Sequence, residues 1–164
     1  MVLSPHMLVG ATIACQTKNP WTTFGIAVLL HFLFDRLPHW EYHGKLKTTE
    51  ISKREISLLF LKASVDLAFG SLVIWLFWKE SSQLYLVSLG AFAGILPDGI
   101  VFLHLLARSI FRWDIRVLKA FYEFHQNVHI SESQNSSALG FAAQSLVVIL
   151  SVLSFFLAPA FPAR

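Results

Sequence analysis

The chain has 164 residues, 55% of them hydrophobic and only 14% charged, with a formal net charge of +3. A soluble domain carries about 25% charged residues. Here the missing charge is replaced by long apolar runs, which argues against a soluble enzyme, a disordered chain or a disulfide scaffold. Cys15 is the single cysteine and cannot bridge within the chain, so no redox compartment is indicated.

In chain order, Ser4 to Cys15 is an apolar segment too short to span a bilayer alone, closed by the turn signal Lys18-Asn19-Pro20. It reads as a re-entrant or tilted amphipathic helix packed on the first span. A signal peptide competes with that reading, but no Lys or Arg precedes the apolar stretch, and Thr12-Ile13-Ala14-Cys15 is a poor lipoprotein cleavage box. About 20 apolar residues cross a hydrocarbon core of about 30 Å. The runs 56–78, 83–107 and 138–161 meet that length, and 21–37 is a shorter fourth. The expected fold is an all-α integral membrane domain over 1–164: four transmembrane helices and the short N-terminal helix.

Basic residues set the orientation. Arg36, Lys45, Lys47, Lys53 and Arg54 lie in the first large loop, and Arg108, Arg112, Arg116 and Lys119 in the second. The positive-inside rule places both loops in the cytoplasm of a cell (inner) membrane. This accounts for the pI near 9.2 without a nucleic-acid partner. The bilayer is then the expected partner, and a homo-oligomer stays open.

Ionisable groups at membrane depth are costly and mark candidate sites. His31-x3-Asp35-x3-His39, continuing to His43, is the first set. Steps of four advance about 40° around a helix, so His31, Asp35 and His39 share a narrow face unless Pro38 ends the helix. The bland alternative is a hydrogen-bonded His and Asp with two interfacial histidines. The second set is Gly94-Ile95-Leu96-Pro97-Asp98-Gly99, where the proline is expected to break or kink the helix. Asp98 can then be a ligand, a general base or a cap. The third is His125-x3-His129 in the second loop, the spacing of two ligands on one helical face. Surface histidines also fall at that interval by chance. Asp66, in the middle of the second span, is either a helix-packing polar group or a catalytic carboxylate, with Ser64, Ser71 and Lys62 as its expected neighbours.

Depth links these signals. Asp66 lies ten residues into the second run and Asp98 nine before the end of the third, each about 15 Å from the cytoplasmic boundary. His39, His43, His104, His125 and His129 fall near that boundary, and His6 joins them if the first segment begins inside. A mixed imidazole and carboxylate site suits Zn or Mn, or Fe, over Ca or Mg. A spare carboxylate among Asp35, Asp66 and Asp98 would serve as general base, and the interfacial position suits a lipid or lipid-linked ester.

Pro5-His6-Met7-Leu8-Val9-Gly10-Ala11, Leu96-Pro97-Asp98 and the later His125 and His129 followed by Ser131 together resemble the LexA-regulated, membrane-bound metal-dependent hydrolases. These are small multi-pass inner-membrane proteins. The resemblance implies hydrolase activity and metal ligation by His6, Asp98, His125 and His129. Two other classes stay open. His39-x3-His43 and His125-x3-His129 fit a di-iron membrane oxygenase or desaturase, although such enzymes use more than the seven histidines present and a doubled-histidine box, which is absent. Asp66, Asp98 and His31 fit a proton or cation path in a small channel. The main candidates are His31, Asp35, Asp98, His125 and His129, followed by His6, His39, His43 and Asp66.

Overall fold

A computed structural model describes residues 2–40, 52–128 and 137–157. Among them are six helices and no strand: α1 (Leu3–Thr17), α2 (Pro20–Phe34), α3 (Lys53–Trp78), α4 (Leu84–Ser109), α5 (Arg116–Val128) and α6 (Ser137–Leu157). Three of them are long and apolar enough to cross a membrane: Lys53–Trp78, Leu84–Ser109 and Ala138–Leu157. The expected fourth span, 21–37, is instead the 15-residue α2. The helix ends at Phe34 with Asp35 as its cap, and the turn that follows fits the bias of the residue before Pro38 away from helical backbone.

The first apolar segment is not amphipathic. α1 is buried on most of its surface and packs chiefly on α4, with α2, α3 and α6 around it. A helix apolar on all sides belongs at the centre of a bundle. Its Met7, Leu8, Ala11, Ala14 and Cys15 meet Ile74 and Trp78 of α3, Leu86, Val87 and Ala91 of α4, and Phe155 of α6. Two hydroxyls of α1 bond back within the helix, Thr12 to the Leu8 carbonyl at 2.9 Å and Thr17 to that of Ile13 at 3.0 Å.

Glycine brings α1 and α4 into backbone contact. A Cβ on Gly10 would lie 2.0 Å from the Gly90 carbonyl oxygen, and one on Gly94 would lie 2.3 Å from that of His6. Small residues at such a crossing let backbones approach where a side chain would hold them apart. Lys18, in the left-handed region at φ 53°, ends α1. Asn19 then accepts from the amides of Trp21 and Thr22 at 3.0 and 3.1 Å, with Pro20 as the first helical residue of α2. The hairpin brings α2 back along α1 and α4.

α4 runs through Pro97 without the expected break. α4 then closes at a turn with Arg112 in the left-handed region at φ 56° and the Trp113 amide bonded to the Ala107 carbonyl at 2.9 Å. The chain returns along α4 as α5, so part of the second large loop is an amphipathic helix.

Candidate metal centre

α2, α4 and α5 converge on four side chains. His31 and Asp35, one turn apart on α2 and at its C-terminal cap, share a face. Asp98 follows Pro97 on α4, and His125 is the fully buried residue of α5. One donor atom from each of the four lies within 4.8 Å of every other. His31 Nε2 is 3.2 Å from Asp35 Oδ2, 3.8 Å from Asp98 Oδ1 and 3.2 Å from His125 Nε2. His125 Nε2 is 3.4 Å from Asp35 Oδ2 and 3.5 Å from Asp98 Oδ1.

These separations fit a metal. Ligand bonds of about 2.0–2.1 Å in a tetrahedron give donor-to-donor edges of about 3.3–3.4 Å, the middle of the observed range. Two nitrogens and two carboxylate oxygens match a transition ion better than the all-oxygen shells of Ca or Mg. His31, Asp35 and His125 are buried, whereas the Asp98 side chain is 20% exposed. Asp98 Oδ2 is buried and accepts no hydrogen bond among the described residues.

The surrounding hydrogen bonds orient the donors. His31 Nδ1 lies 2.8 Å from the Gly94 carbonyl oxygen. A carbonyl only accepts, so Nδ1 carries the proton, and a neutral His31 turns the bare lone pair of Nε2 toward the group. Gly94 lies one turn before Pro97 on α4, so this bond ties α2 to α4 and fixes the His31 tautomer. His6 Nε2 lies 3.0 Å from Asp35 Oδ1. With His6 donating, Oδ1 is occupied and Oδ2 is left aimed at His31 and His125. Phe32 closes one side, edge-on to His31 at 5.3 Å and to Phe124 at 5.4 Å between centroids.

The other candidates lie elsewhere. His6 reaches the group through Asp35 and is not one of the four. His39 is buried beyond α2, its Nδ1 donating to the Leu37 carbonyl at 2.7 Å, with its backbone against Gly140 of α6. Asp66 accepts the Ser4 amide at 2.9 Å and so caps the first turn of α1 from α3. His43 and His129 lie outside the described residues. His104 stacks on Tyr122 of α5, centroids 5.0 Å apart at 28°. Burial raises the Tyr122 pKa, with Arg108 opposing, so its hydroxyl stays a donor. Sequence reasoning missed the supporting role of Gly94. The one signal for it was the Gly90-x3-Gly94 spacing of a close helix crossing.

Comparison with protein-family models, curated proteins and solved structures gave no match to this chain.

Proposed function

We propose that the chain is a membrane-embedded, metal-dependent hydrolase acting on a phosphoester or ester at the His31, Asp35, Asp98 and His125 group. The observation that carries this reading is the donor geometry: four side chains from three helices present N2O2 at metal-binding separations, with tautomer and carboxylate orientation set by Gly94 and His6. Zinc or manganese is the favoured ion. When bound, it would supply Lewis acidity toward an ester oxygen and toward water.

The protein's own residues divide the remaining work. His31, Asp35 and His125 are buried and hold their donors in place. Asp98 is the partly exposed member, with an oxygen that accepts no hydrogen bond among the described residues. It is assigned the proton-handling role, taking a proton from attacking water and returning it to the leaving group. The sequence resemblance to LexA-regulated hydrolases and the cytoplasmic orientation read from the basic loops are consistent with this assignment. The oxygenase and channel readings draw less support. Among the described residues the donors form one group of four, and Asp66 accepts the Ser4 amide away from it.

The test is hydrolysis by detergent-purified, metal-loaded protein on a panel of phosphomonoesters, phosphodiesters and carboxyl esters. Chelation should abolish turnover. Asp98→Asn should keep the metal and lose turnover by about 10²–10⁴-fold, the usual weight of general acid–base catalysis. Absence of turnover across the panel with metal bound, or undiminished turnover in Asp98→Asn, overturns the assignment.

A further inference from the structure

The four donors come from elements held in the bundle to different degrees. α4 has buried residues along its length, from Leu86 to Ala107, and meets α1 backbone to backbone at Gly90 and Gly94. α2 is tied to α1 by the Thr23 and Thr17 hydroxyls, 2.6 Å apart, and to α4 by the His31 bond to the Gly94 carbonyl. α5 has one buried residue, and that residue is the donor His125. The exposed segment 110–115, outside both helices, joins α5 to α4.

The inward stripe of α5 is Leu118, Phe121, Tyr122, His125 and Val128, spaced as one helix face, and all but His125 are half-buried. Phe121 and Phe124 meet Phe32 at 6.5 and 5.4 Å between centroids, and Tyr122 meets His104 at 5.0 Å. Among the described residues, every hydrogen bond or ion pair from α5 to another helix runs through His125. Its Nε2 faces His31 Nε2 at 3.2 Å, Asp35 Oδ2 at 3.4 Å and Asp98 Oδ1 at 3.5 Å. A single N–H there serves one of these three acceptors at a time, whereas an ion among them engages all four donors together. His31 and Asp35 are each 1% exposed and His125 is 4% exposed. An ion therefore needs an entry path to them, and the element with the fewest buried contacts is the one that opens most readily.

We propose that the bound ion latches α5 onto the bundle, and that α5 swings out about the segment 110–115 to admit the ion. This rests on the metal reading of the four donors and adds a control of access to them. A docked α5 offers the ion four donors and a lifted one offers three. The ion shifts the balance toward docking by its preference for the fuller set. The coupling is reciprocal, so docking raises metal affinity by the same factor as the ion raises docking. Departure of α5 also uncovers Phe32 and the His31 ring beside it.

The test is the distance between spin labels at Tyr85→Cys, near the start of α4, and Gln126→Cys on α5, both exposed positions. The full chain carries Cys15→Ser, which keeps a donor to the Ala11 carbonyl, and is measured in detergent with zinc and again after EDTA. Tyr85→Cys with Leu61→Cys on α3 is the control pair, and metal content is measured on every sample. With zinc, the α5 pair should give one narrow distribution. EDTA should add a broad second population, lowering the docked-to-lifted ratio about 5–150-fold, the usual span of such couplings, with the control pair unchanged. His125→Ala should keep the broad population at saturating zinc. An α5 pair equally narrow with zinc and after EDTA, or a control pair that broadens with it, overturns the latch and leaves the metal centre standing. Zinc-induced narrowing in His125→Ala also overturns it. A chain with His125 intact that takes up no zinc fails the metal reading itself.

Discussion

Gly94→Ala should weaken metal binding although Gly94 provides no donor to the centre. The added methyl would lie 2.3 Å from the His6 carbonyl oxygen, a backbone atom that cannot rotate aside. Ordinary contact needs about 1 Å more, so α1 must retreat from α4 by about that distance at a cost near the top of the 1–3 kcal/mol range for overpacking. His6 moves with α1. Its 3.0 Å bond to Asp35 would lengthen to about 4 Å, beyond hydrogen-bonding range. The Gly94 carbonyl, which accepts from His31 at 2.8 Å, is disturbed by the same strain. Losing a partner that orients a ligand costs about 10–100-fold in metal affinity. Gly99→Ala, on the same helix, is the control: a Cβ there meets nothing within 4 Å. It should bind metal normally and gain up to about 1 kcal/mol from helix propensity. Competition against a chromophoric chelator, with thermal unfolding in detergent, separates the two. Wild-type metal affinity in Gly94→Ala would refute the claim that helix contact and ligand orientation are coupled.

His6→Ala should retain metal but weaken it by about 10–100-fold, whereas His31→Ala, which removes a donor, should reduce binding far more. A chelator titration on both variants checks the order. Asp66→Ala leaves the Ser4 amide without its acceptor and should cost about 1–2 kcal/mol of stability. Metal stoichiometry should not change, and a metal-deficient Asp66→Ala would place that carboxylate in the centre after all.

The helices legible in the sequence were those whose apolar runs alone exceed the bilayer thickness, namely α3, α4 and α6. α2 has the same composition but stops early, a limit that Pro38 announced. The burial of α1 on all sides was hidden, because an apolar segment of that length looks alike whether it lies against lipid or protein. Its neighbours are set by Gly10, Gly90 and Gly94, whose importance appears only when two backbones meet. For Asp66 the sequence offers Ser64, Ser71 and Lys62 on its own helix, whereas the Ser4 amide it accepts from is 62 residues away. His31 and Asp35 were joined by their i,i+4 spacing, and membrane depth singled out Asp98. Their convergence with His125 depends on the turn at Arg112, where a left-handed non-glycine residue gives no sequence signal. Pro97 is expected to break or kink α4, and the helix continues through it without a break.

The central claim is that His31, Asp35, Asp98 and His125 hold one metal ion. Elemental analysis with X-ray absorption on the purified protein, beside a His31→Ala/His125→Ala variant, tests it most directly. About one ion per chain is expected, with imidazole and oxygen donors at about 2.0–2.1 Å, lost in the double variant while helical content is kept. A wild-type protein that takes up no stoichiometric metal from zinc, manganese or iron would contradict it. The four side chains would then be a hydrogen-bonded network in which His125 Nε2–H donates to His31 Nε2 across 3.2 Å.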